Sequence, residues 1–468
     1  MRQAYSTAAN ITETRRRTYT SHTNPFEQSQ LGRQLKHAEQ PYLLLAVSRR
    51  NVLRDSFDQI WQRRRSELLL PLRLRLGERD SVDSADGIFE SQEYLEIGQD
   101  LGGVQIEFFN AFCAAAFASE TGMFQNLDGE TGMSWFRPGS LQPTYMFELV
   151  GVVVGLAVYN GVTLPISLPD VFYRNLLRFA VGYGDLGDVE LTPEAIKSGW
   201  PAQAKSLRVI LALDSEEEVA GLGLDYSFPL EANGLRLSVH LPQELAERQT
   251  GVLEVISSSI AESHRLPCSE DTYLSGWRLT DSTHAPETVT AANKQQYIKD
   301  YVRWLTHLSV APQLCAFRKG LLTVLDSHAL ALFTHAPTSL KALIEGSPHL
   351  DIRALRAATQ YQGYDAEDRY IQKFWRIVES WPERKQLQLL KFVTAAERLP
   401  VGGAENVTFV ISRAMVADTV ERQGYMDRLP TTSTCFGTLF LPEYASKGML
   451  ERKLDVAIEW GGVGFGVG

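Results

Sequence analysis

Cysteine is scarce in this sequence, which holds four in 468 residues: Cys113, Cys268, Cys315 and Cys435. No two of them form a CxxC pair, and none lies in a cysteine–histidine cluster with the spacing of zinc ligands. The sequence therefore argues against a zinc-binding module and a disulfide framework, and it predicts neither a bound metal nor a cofactor. Unpaired cysteines are typical of a reducing compartment, so we expect the protein in the cytoplasm, with the nucleus as the alternative.

Long apolar runs are also missing. The longest one, residues 149–159, contains two glycines and is shorter than a membrane helix requires; such a helix needs ~20 apolar residues. No apolar stretch follows Arg2, so we expect no signal peptide. Residues 149–159 are therefore predicted to form a buried core helix and not a membrane span.

Basic residues are fewer than acidic ones, and the formal net charge is −10. Residues 1–40 hold six basic and three acidic side chains, a charge of +3, so the remainder carries −13. An acidic body argues against nucleic acid as the main partner and favours a protein partner. Residues 1–40 are polar with few large apolar side chains, so we expect them to be a disordered tail.

A cysteine in a hydroxyl-rich turn lies near the end of the chain. Residues 428–444 read Arg-Leu-Pro-Thr-Thr-Ser-Thr-Cys-Phe-Gly-Thr-Leu-Phe-Leu-Pro-Glu-Tyr. A single cysteine is most often a small, inert, buried residue, but the threonines and the serine before Cys435 favour a thiol on an exposed loop. We expect residues 431–434 to be a loop and residues 436–441 to be a short strand.

Three motifs in this region carry a resemblance to a known family. They are Leu-Pro-Thr-x-x-Thr-Cys-Phe, then Leu-Pro-Glu-Tyr-x-Ser-Lys, and a terminal Gly-Phe-Gly. Together they resemble the C-terminal lobe of the HECT family of ubiquitin-protein ligases. Upstream, Asp-Leu-Gly-Gly-Val-Gln-Ile-Glu-Phe-Phe at residues 100–109 and Trp-Phe-Arg-Pro at residues 135–138 extend the resemblance in the family's order.

The resemblance implies a chemistry for Cys435. In that family the motif cysteine accepts ubiquitin as a thioester from a charged ubiquitin-conjugating enzyme and passes it to a lysine of a protein substrate. The resemblance also implies positioning roles for Thr434 and for Phe465, the fourth residue from the end. Two positions depart from the pattern, since the family usually carries histidine at Ser433 and asparagine at Gly437. A histidine could help to lower the thiol pKa, so the activation of Cys435 stays open.

The resemblance further implies an α+β fold of two lobes that a hinge joins. The mostly helical N-terminal lobe is expected at residues 41–345, with a subdomain that binds the conjugating enzyme at about 201–289. The hinge is expected at residues 346–349, where Gly-Ser-Pro-His is a natural turn. The smaller C-terminal lobe, with mixed helices and strands and the cysteine, is expected at residues 350–468.

Hydrophobic spacing makes local predictions as well. From Tyr42 to Trp61 the apolar residues are spaced to face one side of a helix. Residues 72–76, Leu-Arg-Leu-Arg-Leu, alternate as a strand with one buried face does. Ser446 is placed to cap a helix whose apolar residues share one face.

Two other functions stay open. A papain-like cysteine hydrolase needs a histidine within reach of the thiol, and no histidine follows His349 in the sequence. A non-catalytic ubiquitin-binding scaffold would keep the fold, with Ser433 and Gly437 recording lost activity. Because the motif residues around Cys435 are retained, we expect an active ligase. Residues 1–40 are too short and polar for a substrate-recognition module, so we expect either a longer product or a separate adaptor.

Overall fold

The computed structural model describes residues 42–61, 63–77, 103–127, 131–178, 191–232, 235–240, 278–279, 288–413 and 428–461. The predicted tail at residues 1–40 lies outside these residues, and so does most of the segment between 241 and 287.

Helices and short sheets both occur, which confirms the predicted mixed α+β class. The strands are β1 (Leu43–Ser48), β2 (Leu72–Gly77), β3 (Phe124–Asn126), β4 (Ser134–Phe136), β5 (Phe228–Ala232), β6 (Leu235–His240), β7 (Arg278–Leu279), β8 (Gln360–Gln362), β9 (Val410–Arg413), β10 (Thr431–Ser433) and β11 (Thr438–Leu441). The α-helices are α1 (Val52–Ile60), α2 (Arg65–Leu68), α3 (Gly103–Ala116), α4 (Thr144–Asn160), α5 (Asp170–Arg178), α6 (Pro201–Ala212), α7 (Glu216–Ala220), α8 (Lys294–Thr306), α9 (Ala311–Val324), α10 (Ser327–Ala331), α11 (Pro337–Glu345), α12 (Ile352–Ala358), α13 (Arg369–Ser380), α14 (Glu383–Thr394) and α15 (Lys447–Gly461).

The described residues divide into two compact units. Unit 1 takes its residues from Met1–Ala114, Leu156–Pro165 and Ala342–Gly468, and unit 2 takes its residues from Ala115–Gly155 and Ile166–Lys341. Each unit is built from stretches that are distant in sequence. The division into two lobes with a hinge at residues 346–349 stays a prediction.

The first part of unit 1 corrects one local prediction. Residues 43–48 form strand β1 instead of the first turns of a helix, and β1 pairs in parallel with β2 from Leu43↔Leu72 to Ser48↔Gly77. The alternating burial of Leu43, Leu45 and Val47 against a neighbouring strand decides the conformation, because β2 supplies the backbone partners. Helix α1 begins only at Val52, and Trp61 lies just past its end with 60 % of its surface exposed. The predicted strand at residues 72–76 is confirmed.

Helix α4 confirms the buried core helix predicted at residues 149–159. In unit 2 its backbone meets that of α9 at two glycines: a Cβ atom on Gly151 would lie well inside 3.0 Å of the Phe317 carbonyl oxygen, and one on Gly320 would meet the Glu148 carbonyl equally closely. Only glycine allows this approach of the two helices. In the part of the chain that the structure describes, no helix is both long and apolar enough to cross a bilayer.

Unit 2 also contains the described part of the region predicted to bind a conjugating enzyme. Helices α6 and α7 are followed by the antiparallel strands β5, β6 and β7. The buried Lys294 ties this region to α8, since its ammonium group donates to the carbonyl oxygens of Leu211 and Leu213 at the end of α6. Exposed apolar side chains remain on this segment, among them Val209 and Leu222.

The last part of unit 1 carries the cysteine motif. Its four-stranded sheet has the order β10-β11-β9-β8, with β10 antiparallel to β11 and the other pairs parallel. Helices α12 to α15 contribute to the core on which this sheet packs, and Leu355, Phe374, Leu390, Leu439 and Leu450 are all fully buried there. The predicted cap of α15 is confirmed, because the Ser446 hydroxyl accepts from the Met449 N–H at 3.2 Å. We call residues 350–461 the C-terminal body.

Candidate active site

The motif cysteine lies at the tip of a hairpin. Strands β10 and β11 pair from Thr431↔Phe440 to Ser433↔Thr438, and a 3-10 turn, Thr434–Phe436, joins them with Gly437. The prediction of a loop at residues 431–434 is therefore wrong for its first three residues, because pairing with β11 extends them and β-branched threonine fits a strand. The strand predicted at residues 436–441 begins two residues later than expected. The backbone of Cys435 is the middle of the turn.

Gly437 closes the turn in a left-handed conformation. Its φ is +56°, its N–H donates to the Thr434 carbonyl at 3.2 Å, and its carbonyl accepts from the Val410 N–H at 2.8 Å. A side chain there would be strained twice, by the positive φ and by the nearby Thr408 carbonyl oxygen. This is a local reason for glycine at a position where the family usually carries asparagine.

Phe436, the residue after the cysteine, is 50 % exposed. It is the last residue of the 3-10 turn, and its carbonyl accepts from the Thr438 hydroxyl at 3.2 Å. The sequence predicted that Phe436 would be the first residue of a strand. An exposed aromatic ring next to Cys435 offers apolar surface to any partner that approaches the turn.

Helix α14 packs against the turn and against both hairpin strands. Leu439 and Leu441 are fully buried in the core under β11, and Pro430 is buried at the start of β10. A packed scaffold of this kind holds a surface turn in one place.

The other predicted site residues are placed as follows. Thr434 opens the 3-10 turn and is half-buried, and its carbonyl accepts the Gly437 bond. Ser433 is the last residue of β10 and is also half-buried. Phe465 lies outside the described residues, so its positioning role stays a prediction.

The remaining cysteines differ in setting. Cys113 is buried in α3, and burial raises the pKa of its thiol far above the ordinary value. A thiol of this kind is protonated and inaccessible at neutral pH, so it is a poor nucleophile. Cys315 lies half-buried in α9, and Cys268 lies outside the described residues.

The last histidine in the chain is engaged elsewhere. The imidazole of His349 is 83 % exposed, and its Nδ1 lies 3.3 Å from Oε1 of Glu383. The same carboxylate accepts from the Leu350 N–H at 3.2 Å. His349 and Glu383 thus join the predicted hinge segment to the start of α14.

Tyrosine hydroxyls that the sequence analysis did not single out hold the base of the hairpin. The Tyr444 hydroxyl donates to the Arg428 carbonyl at 2.7 Å, which joins the chain that leaves the hairpin to the chain that enters it. Tyr444 belongs to a quoted motif, but the sequence offers no sign of its partner. The contact depends on how the hairpin pairs.

Comparison with known proteins gives a consistent result. The family model described as HECT-domain (ubiquitin-transferase) matches residues 110–468. The chain is 28 % identical over 430 residues to the probable E3 ubiquitin-protein ligase HECTD2 of Mus musculus, a match that covers 91 % of this chain and 46 % of the relative. It is 26 % identical over 420 residues to the probable E3 ubiquitin-protein ligase HERC4 of Homo sapiens, covering 90 % of this chain and 32 % of the relative.

A third relative matches with a similar identity and coverage. The chain is 27 % identical over 433 residues to the probable E3 ubiquitin-protein ligase HUL4 of Eremothecium gossypii, covering 89 % of this chain and 42 % of the relative. The chain thus spans less than half the length of these curated relatives. The match of the family model, by contrast, runs over most of this chain and includes the whole cysteine hairpin. The chain belongs to the HECT-domain (ubiquitin-transferase) family.

Proposed function

We propose that this chain is a ubiquitin-protein transferase that carries ubiquitin as a thioester on Cys435. The observation that supports the proposal most is the position of this cysteine at the tip of the β10–β11 hairpin, inside the region that the HECT family model matches. The Cys113 thiol offers no comparable nucleophile, because it is buried with a raised pKa.

The first step would exchange one thioester for another. The Cys435 thiolate attacks the carbonyl carbon of the ubiquitin thioester on the conjugating enzyme, a new S–C bond forms, and the thiolate of the conjugating enzyme leaves. Because a thioester is both consumed and formed, the reaction is nearly balanced in free energy. The step therefore needs mainly proximity and a partly ionised thiol.

The second step would transfer ubiquitin to a lysine of a protein substrate. A neutral amine attacks the thioester carbonyl, an amide bond forms, the Cys435 thiolate leaves, and the amine gives up one proton. Because lysine is charged at neutral pH, the amine must lose a proton before it reacts. Phe465 and Thr434 are proposed to position the reacting groups.

The conjugating enzyme is proposed to dock on the segment 201–289. The exposed apolar side chains of Val209, Leu211 and Leu222 support this, since an apolar surface is what a protein partner buries. Ubiquitin, the conjugating enzyme and a substrate with an acceptor lysine are the partners of this proposal, and cytoplasm or nucleus is the proposed location.

The test is a thioester assay. The protein is mixed with activating enzyme, a panel of conjugating enzymes and ubiquitin, and the products are run on a non-reducing gel. A ubiquitin adduct that reductant removes, present in the parent protein and in Cys113→Ala but absent in Cys435→Ala, is the expected result. Cys113→Ala is the matched control because it removes a thiol without touching the hairpin.

A different outcome would favour the scaffold. If no conjugating enzyme gives an adduct while ubiquitin or a conjugating enzyme still binds measurably, the protein is a non-catalytic ubiquitin-binding scaffold. The departure at Ser433 would then be the first position to restore, because a side chain at Gly437 would be strained.

A further inference from the structure

The segment that follows the β10–β11 hairpin has backbone groups that the pairing of the two strands does not use. Strand β11 ends at Leu441, and the chain then runs through Pro442 and Glu443 to Tyr444, outside the ladder. Proline has no N–H, so its peptide unit can be held only through its carbonyl oxygen. A buried backbone group without a partner is costly, so the partners of this segment decide how firmly the hairpin is fixed.

Two tyrosine hydroxyls supply those partners. The Tyr370 hydroxyl donates to the Pro442 carbonyl at 2.6 Å and accepts from the Tyr444 N–H at 3.1 Å. The Tyr444 hydroxyl in turn donates to the Arg428 carbonyl at 2.7 Å. Because a hydroxyl can donate once and accept as well, the Tyr370 hydroxyl binds two backbone groups of the segment 442–444 at the same time. Together the two residues connect helix α13, the segment 442–444 that follows the hairpin, and Arg428, which precedes it.

The two side chains are themselves well fixed. Tyr370 and Tyr444 are both buried, and the ring of Tyr370 stacks on that of Tyr364 at 5.9 Å between centroids. The Tyr364 hydroxyl donates to the Leu441 carbonyl at 2.9 Å, one residue before the segment that Tyr370 holds. Burial raises the pKa of Tyr370, so its hydroxyl stays protonated and able to donate at physiological pH.

We propose that Tyr444 and Tyr370 are positioning residues for ubiquitin transfer. Their hydroxyls fasten both ends of the hairpin, and this fixes the backbone of the turn that carries Cys435 relative to the rest of the C-terminal body. The inference rests on the proposed function, because a fixed turn matters for a nucleophile that must meet a large incoming thioester in one orientation. Neither tyrosine takes part in bond making.

The test uses Tyr444→Phe and Tyr370→Phe, which remove one oxygen atom and keep the ring. The matched control is Tyr361→Phe, since the Tyr361 hydroxyl accepts from Nε1 of Trp375 at 2.9 Å, and Tyr361 lies on β8, which β9 separates from the hairpin in the same sheet. All proteins are compared well below their unfolding temperature. Circular dichroism confirms that each is folded.

Single-turnover transfer from a preloaded conjugating enzyme to Cys435 is measured against protein concentration. We expect the maximal rate of both hairpin variants to fall by roughly five- to tenfold, with the half-saturating concentration unchanged, because a turn that is held less firmly presents Cys435 in the reactive orientation less often. Tyr361→Phe should keep the parental maximal rate. Hydrogen exchange at residues 431–441 should be faster in the hairpin variants and unchanged in the control.

The outcomes separate the two proposals. A parent protein that forms no Cys435-dependent adduct overturns the proposed function and this inference with it. A parent protein that forms the adduct while Tyr444→Phe and Tyr370→Phe keep its maximal rate overturns the inference alone. An equal loss in Tyr361→Phe also overturns the inference, because the effect would then come from general loosening of the body.

Discussion

A Cβ atom on Gly437 would lie well inside 3.0 Å of the Thr408 carbonyl oxygen, closer than real Cβ atoms come to any neighbour. Gly437 also has φ +56°, a conformation that L side chains rarely adopt. The turn that carries Cys435 is thus closed by a residue that conformation and space both restrict to glycine. The same residue is one of the two departures from the family pattern.

Gly437→Ala should therefore destabilise the protein strongly. The control is Gly403→Ala, because Gly403 also has a positive φ, +77°, but has open space where the Cβ would lie. We expect a loss of about 1 kcal/mol in the free energy of unfolding for Gly403→Ala and about 3 kcal/mol or more for Gly437→Ala. Urea titration followed by tryptophan fluorescence measures both, and equal losses would contradict a role for Thr408.

Ala395→Gly should stabilise the protein. Ala395 caps the C-terminus of α14 with φ +60°, and among the described residues it is the one non-glycine residue with positive φ. Its carbonyl accepts from Nδ2 of Asn110 at 2.6 Å, a bond that the substitution leaves in place. We expect a gain of about 1 kcal/mol, against a loss for the neighbouring Ala396→Gly, where glycine only loosens the chain. The unfolding temperatures of the two variants and the parent protein provide the measurement. An unfolding temperature of Ala395→Gly below that of the parent protein would contradict the prediction.

Gly151→Ala tests the close approach of α4 and α9. A methyl group at Gly151 would collide with backbone atoms of α9, which have no rotamer to change. Gly448→Ala in α15 is the control, since nothing lies within 4 Å of its Cβ position. We expect Gly151→Ala to cost about 3 kcal/mol or more and Gly448→Ala to be neutral or stabilising by about 0.5 kcal/mol. Chemical denaturation measures the difference, and a mild effect at Gly151 would mean that the helices lie farther apart.

Stability should fall at alkaline pH, in part through Tyr297. Burial first, and then the nearby Tyr301, raise the pKa of Tyr297 to about 12 from its ordinary value of 10.0. A raised pKa means that the folded state holds the proton more tightly. The stabilisation is therefore complete below pH 10 and is lost as the pH rises from 10 to 12, at up to about 1.4 kcal/mol per pH unit.

Tyr297→Phe should flatten this pH dependence. The ring packs edge-on against Tyr226 and stacks on Phe228, and phenylalanine keeps those contacts. Tyr145→Phe, at a side chain that is 45 % exposed, is the control and should follow the parent curve. Unfolding free energies from pH 8 to 11.5 provide the measurement. A parental slope in Tyr297→Phe would show that other groups carry the effect.

The proposed hinge makes its own prediction. His349→Pro places two prolines in succession, which stiffens the segment 346–349. His349→Ala is the control for the lost contact between the imidazole and Glu383. We expect slower transfer of ubiquitin to a lysine for His349→Pro than for His349→Ala, with equal binding of the conjugating enzyme in both. Equal transfer rates would count against a hinge at this place.

Much of the site was readable from the sequence because its signals are local. The hydroxyl-rich turn around Cys435, the Ser446 cap and the alternating residues 72–76 each depend on neighbours within a few positions. Local propensity misled where pairing with another strand competed. Residues 43–48 and 431–433 became strands because β2 and β11 offered them backbone partners, and the residue types of a segment do not by themselves show which strand it will pair with.

The sequence by itself determined the family, the motif cysteine, the core helix at residues 149–159 and the strand at residues 72–76, because these follow from residue types at short spacing. Only the tertiary structure decided which tyrosines hold the hairpin, why glycine stands at position 437, and which glycines let α4 meet α9. Tyr370 and Tyr444 lie 74 residues apart, yet the Tyr444 N–H donates to the Tyr370 hydroxyl. Such contacts arise when long-range packing brings backbone atoms together, and no spacing along the chain encodes them.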